Sequence, residues 1–184
     1  MPIRYRTLPV PAFEAYTLRI PAGAVTLGVE YRHLDEAVIL DHYGPDARAK
    51  FDGVLPAGFE GTVEEDGLCL HVFGTADGAE YLRFDCFDEA AHYHLLDPHA
   101  PCNTVIEHDV RRDGPLLEWA LAALRDRLPA LLVEAGAAEL ASAVEPERVA
   151  AVLERVRLES ERMRAAGRPV SVAPPPGATP ASPR

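Results

Sequence analysis

The sequence predicts an α+β protein. It comprises an antiparallel β-sheet, a meander either open or barrel-like, then two C-terminal helices and a disordered proline-rich tail. Three observations predict this. Residues 1–112 are short runs rich in Val, Tyr, Phe and Thr, broken by turn signals at short intervals. Residues 113–167 are rich in Ala, Leu, Glu and Arg, with apolar residues at helical spacing. Residues 168–184 hold six prolines and nothing apolar beyond Val and Ala, too little buried surface to offset the entropy of ordering. A chain of 184 residues is long enough for a core without disulfides. Residues 1–167 are therefore expected to form one domain and 168–184 a tail.

The elements follow in order. Residues 16–20 and 25–31 read as strands around Pro21-Ala22-Gly23. Val38-Ile39-Leu40 is a buried run, strand or short helix, because periodicity alone does not separate the two. Residues 45–51 suit one or two helical turns, and 56–61 a loop. Residues 68–73 and 80–87 flank Thr75-Ala76-Asp77-Gly78, and Asp-Gly is a hairpin signal. Residues 92–96 and 104–109 flank the turn Asp97-Pro98-His99-Ala100-Pro101. Sequential strands usually pair, so these four should form a meander.

Helical spacing begins after Pro115, which fits a first helical position. Leu117, Leu121, Leu124, Leu128 and Leu131 form one apolar stripe. Pro129 kinks the helix or makes it stop and restart. Gly136 suits a C-terminal cap. Pro146 opens the second helix, with Val149, Val152, Leu153 and Val156 inward and Gly167 past its end. Arg155 with Glu159, and Arg157 with Glu161, have the spacing of ion pairs on its wet side. Trp119 should cover the seam between helix and sheet.

Composition excludes several function classes. The net charge is −11, and Arg111-Arg112, the only adjacent basic pair, is flanked by Asp109 and Asp113. Nucleic acid and anionic membrane surfaces would repel such a chain. No run approaches the roughly 18 apolar residues of a membrane span, and no apolar stretch follows the N-terminus as in a signal peptide. A cytoplasmic location is expected. Cys69, Cys86 and Cys102 are odd in number and lack zinc-ribbon spacing, which suits reduced thiols. Lys50 is the only lysine among 18 basic residues, a coding bias of GC-rich bacteria. Signatures for dinucleotides, nucleoside triphosphates, serine hydrolysis and zinc peptidases are missing.

The chemistry concentrates in His92-Tyr93-His94, followed by His99 and His108. Alternate strand residues share a face, so His92 and His94 should project side by side and Tyr93 should point the other way. If Leu96 pairs with Thr104, His94 faces Ile106 and His92 faces His108. If Phe73 pairs with Glu80, His71 faces Leu82, and one face gathers Cys69, His71, Cys86, His92, His94 and His108. Three imidazoles suit a divalent metal, Zn, Fe, Ni or Cu, and three protein ligands leave a position open. The expected ligands are His92, His94 and His108, with Glu107, Asp109 or Asp85 as outer hydrogen-bond acceptors. Elsewhere, Cys86 lies between Asp85 and Asp88, which weakens it as a nucleophile. Cys102 near His99 is poor evidence for a catalytic dyad. His33 with Asp35, and Asp41 with His42, read as surface pairs. The His-x-His invites comparison with cupins, but the glutamate that follows it there, and the later half-motif, are missing.

The run Tyr81-Leu82-Arg83-Phe84-Asp85-Cys86-Phe87-Asp88 with His92-Tyr93-His94 resembles the core of an uncharacterised bacterial domain family of unknown function. The resemblance spans about residues 67 to 136. It implies that both segments belong to one unit, and it brings no activity with it. Three functions fit the residues. The first is a small metal-binding protein or metalloenzyme acting on a small molecule at His92, His94 and His108. The second is an accessory protein using its C-terminal helices and tail, with a homodimer formed through the C-terminal helix. The third is a metal-free domain whose histidines bind an acidic or aromatic metabolite.

Overall fold

A computed structural model describes residues 2–44, 65–88 and 90–172. The helical turns expected over 45–51 and the loop over 56–61 lie outside the described residues, as does the tail beyond Val172. The strands are β1 (Ile3–Tyr5), β2 (Leu18–Ala22), β3 (Val25–Leu34), β4 (Glu65–Gly74), β5 (Glu80–Cys86), β6 (His92–Asp97) and β7 (Cys102–Glu107). They form one sheet in the order β1-β7-β6-β5-β4-β3-β2, every pair antiparallel. The sheet is open, with β1 and β2 at its edges. The predicted four-stranded meander is its centre.

Helix α1 (Glu36–Tyr43) resolves the ambiguous Val38-Ile39-Leu40 run. Asp35 decides it: its carboxylate accepts the Val38 N–H at 2.9 Å, capping the helix start. The C-terminal half contains α2 (Val110–Asp113), α3 (Leu116–Asp126), α4 (Leu128–Glu134), α5 (Ala138–Ala143) and α6 (Pro146–Ala166). The helix therefore stops and restarts at Pro129, which occupies the first turn of α4, where its missing N–H costs nothing. Gly136, with φ 86°, ends α4 in a conformation that favours glycine. The short α2 and α5 have no apolar periodicity of their own and were not expected from the sequence.

The helices cover one sheet face. Leu116, Leu117, Leu121, Leu124, Leu128 and Leu131 pack against Leu27, Val29, Leu70, Leu82 and Phe84, all buried. Each such side chain contributes roughly 1.5–3 kcal/mol on burial. Trp119 sits over the seam, its ring centroid 6.2 Å from Phe84 and 5.1 Å from Tyr93. In α6, Val149, Val156 and Met163 face inward. Arg157 reaches across to Glu118 of α3 at 2.6 Å, and Arg162 rather than Arg155 pairs with Glu159. The first residues after α6 dock. The Val172 N–H donates to Ala15 O at 2.9 Å, and the Val172 side chain packs on the core.

The other sheet face is polar yet buried. Paired residues place Glu30, Cys69, Asp85, His92 and Glu107 in one row across β3 to β7. The adjacent row runs Arg19, Gly28, His71, Arg83, His94 and Val105. Glu30, Arg32, Cys69, His71, Arg83, Asp85 and His94 are all buried. The N-terminal segment lies against this face. Arg32 Nη2 donates to the carbonyls of Val10 and Pro11, and Tyr43 of α1 donates to that of Leu8. Gly28 leaves little room for a side chain: a Cβ there would lie 2.8 Å from Phe73 Cε2, so that ring would have to shift, and 3.1 Å from Thr17 Cγ2, a tight contact.

Candidate metal centre

Both expected registers need correction. Phe73 does pair with Glu80, but the register shifts between Val72 and Phe73, and His71 lies opposite Arg83 instead of Leu82. This bulge sends Leu82, Phe84 and Cys86 to the helix-covered face and brings Arg83 and Asp85 to the histidine face. On the second hairpin Leu96 pairs with Asn103, not Thr104, so His92 lies opposite Glu107 and His94 opposite Val105. A one-residue slip exchanges faces. His108 lies just past the end of β7. Its ring is 5.4 Å from Trp119, and its Nε2–H donates to Gly114 O at 2.7 Å. Trp119 also packs on Tyr93, which alternates with His92 and His94. The structure therefore brings His92 and His94 together and leaves His108 on the helical side.

The third group is Asp85, directly opposite His92 on β5. One ligand atom each from Asp85, His92 and His94 lies within 4.8 Å of the others. Asp85 Oδ2 is 2.8 Å from His94 Nε2 and 3.3 Å from His92 Nε2. The two imidazole centroids are 4.8 Å apart. Atoms bound at ~2.1 Å to one ion lie about 3–3.4 Å from each other, close to the two separations from Asp85 Oδ2.

Every outer position of the three groups is tied. His92 Nδ1 donates to Ala90 O at 2.7 Å. Ala90 is the one described non-glycine residue with positive φ, 54°, and this conformation helps aim its carbonyl at the ring. His94 Nδ1 lies 2.8 Å from Asn103 Oδ1, and Asn103 is buried. The Cys69 S–H donates to Asp85 Oδ1 at 2.9 Å, leaving Oδ2 for the histidines. Burial and the Asp85 charge push the Cys69 thiol well above its ordinary range, so it acts as a neutral donor.

A carbonyl oxygen only accepts, so His92 Nδ1 carries the proton. Nε2 then aims either a lone pair or a second proton at a carboxylate. A lone pair there is repulsive, so the arrangement is built around positive charge, a proton or a cation. Asp85 is suited to hold it. Burial pushes its carboxyl up, but hydrogen bonds from His92 and His94, and the charges of His94 and Arg83, hold it well below the usual carboxylate range. The His92 side chain is 16% exposed against 7% for Asp85 and His94, so solvent reaches the cluster from the His92 side.

Sequence reasoning placed Asp85 among outer acceptors. A strand alternating Leu82, Phe84 and Cys86 with Arg83 and Asp85 reads as half wet, and the bulge that aligns Asp85 with His92 has no distinctive sequence signal. No described helix is long and apolar enough to cross a membrane. No curated protein and no solved structure is significantly similar to this chain. A family model described as a domain of unknown function, DUF7700, matches residues 19–160. That span contains the whole cluster and reaches from β2 into α6, wider than the resemblance over 67 to 136. The chain accordingly belongs to the DUF7700 family, a domain of unknown function.

Proposed function

We propose that the protein binds one divalent metal through Asp85 Oδ2, His92 Nε2 and His94 Nε2, and acts as a metal-binding protein or metalloenzyme on a small molecule. One observation carries this reading. Two imidazoles with tethered Nδ1 atoms aim their Nε2 atoms at one oxygen of a buried carboxylate. Metal-bound histidines generally have the other ring nitrogen fixed in this way. Two imidazoles and a carboxylate suit Zn(II), Fe(II), Ni(II) or Cu(II), and the neutral Cys69 thiol offers nothing to Cu(I). Three ligands leave room for water or substrate on the His92 side. A metal there would supply Lewis-acid activation of whatever oxygen it binds. Asp85 provides the negative charge, Asn103 and Ala90 hold the rings, and Cys69 keeps the carboxylate to one free oxygen.

The test is a titration of untagged full-length protein with Co(II), followed by visible absorption and calorimetry. One equivalent is expected to bind. His92→Ala and His94→Ala should abolish it, whereas Tyr93→Phe and His108→Phe should leave it unchanged, because both side chains face the helices. Asn103→Leu should weaken binding by about 10–100-fold with the fold kept, the usual cost of removing an outer partner. Failure of the wild type to bind, or equal behaviour of all variants, would make the cluster a proton-holding network and end the metal reading.

A further inference from the structure

The polar face holds a second buried cluster that the metal reading does not use. His71 of β4 sits between two carboxylates, its Nδ1 2.6 Å from Glu80 Oε1 and its Nε2 3.1 Å from Glu30 Oε2. Nδ1 donates to Glu80. Nε2 faces Glu30 as a close ion-pair contact without hydrogen-bond geometry, and two carboxylates flanking one buried ring favour its imidazolium form. Arg83 holds Glu80 through Nε at 2.8 Å and Nη2 at 2.7 Å. Arg32 Nε stands 3.6 Å from Glu30 Oε1.

This cluster fastens the N-terminal segment. Glu30 Oε2 accepts the Thr17 hydroxyl at 3.2 Å and the Phe13 N–H at 3.4 Å. Arg32 Nη2 holds the carbonyls of Val10 and Pro11 at 3.2 and 2.8 Å. Leu8, Pro11, Ala12 and Glu14 of the same segment line a half-open cleft of about 280 Å³ that also touches Phe73 and Glu80.

We propose that His71 is a proton-operated clasp: its imidazolium form, bridging Glu30 and Glu80, fastens residues 10–17 to the sheet, and loss of its proton frees them and opens the cleft. A neutral His71 has one N–H. The shorter contact keeps it on Nδ1, toward Glu80. Nε2 then turns a lone pair on Glu30, whose nearest remaining cation is Arg32. Glu30 must move or be neutralised, and it is the residue bonded to Phe13 and Thr17.

The charged groups facing His71 are Glu30 and Arg32 from β3 and Glu80 and Arg83 from β5. On its own strand Phe73 stacks 5.6 Å away, and Cys69 lies two residues before it on the same face. From β2, the Arg19 guanidinium lies over the Phe73 ring, 3.8 Å from its centroid, and is already bonded to Glu14 of the N-terminal segment. Burial pushes His71 down, but the Glu80 charge and the close contacts with Glu30 and Glu80 outweigh it and hold it above its ordinary 6.5. A raised value means that the bridge is complete below 6.5 and is lost as pH rises through the folded value. The clasp is closed in acid and near-neutral solution and opens on the alkaline side.

The experiment is NMR on the full chain across pH about 5–9, following the His71 ring and the amide exchange of Phe13 and Thr17, corrected for intrinsic base catalysis. Protection of both amides should fall by about tenfold or more with the midpoint of the His71 titration. Glu30→Gln should keep the fold and lose the pH dependence. In His71→Gln, if it folds, protection should be low at every pH. A His71 that titrates below 6.5, or protection that stays flat while the ring titrates, would overturn the proposal. No arm of the test involves the metal.

Discussion

Glu80→Ala is expected to cost about 3–5 kcal/mol, because removing one member of a buried ion pair leaves its partners charged and dry. Glu80 accepts from both Arg83 and His71, whose side chains are 2% and 0% exposed. Equilibrium unfolding in urea measures the loss. Glu14→Ala, which removes an exposed partner of Arg19, should change stability by no more than about 1 kcal/mol in the same assay. The pH dependence has a defined sign. Burial pushes the Glu80 carboxyl up, but Arg83 and His71 hold it well below its ordinary 4.5. Its contribution is therefore complete above that value and lost as pH falls. His71 gives the opposite limb, so wild-type stability should decline on both the acid and alkaline sides. Glu80→Ala should flatten the acid limb.

The second large effect is at Asp85. Asp85→Asn keeps the shape of the side chain and removes the charge between two imidazoles. Metal affinity should fall by more than the about 10–100-fold expected for an outer partner such as Asn103. Competition against a chromophoric chelator reads this directly. The variant should remain folded, since the amide oxygen can still accept from Cys69 while the amide NH2 takes the place of Oδ2 and can donate to His94 Nε2. Affinity within a few-fold of wild type would remove Asp85 from the ligand set.

Much of the fold was legible because its signals are local. The Asp77-Gly78 turn, the leucine stripe from Leu117, Pro146 before α6 and Gly167 after it each act through backbone geometry within a few residues. The faces of the sheet were harder. They depend on registers, and a bulge opposite Val72 and Phe73 moved Leu82 and Asp85 to faces opposite those expected. One residue of slip between β6 and β7 removed His108 from the cluster. The pair His92 and His94 survived because alternation within one strand needs no register. The buried charges were hidden for another reason. Polar residues alternating along β4 and β5 look like a solvent-facing side, yet the N-terminal segment lies against that side. Only the three-dimensional pairing of Glu30, Arg32, His71, Glu80 and Arg83 makes its burial tolerable.

The most direct measurement is an anomalous difference map from crystals of untagged protein grown with Zn(II) or Co(II), recorded on both sides of the metal edge. A single peak about 2.0–2.2 Å from Asp85 Oδ2, His92 Nε2 and His94 Nε2 is expected, with Ala90 O and Asn103 still on the Nδ1 atoms. Ordered His92 and His94 remaining hydrogen-bonded to Asp85 at saturating metal, with no peak between them or with the metal elsewhere, would contradict it.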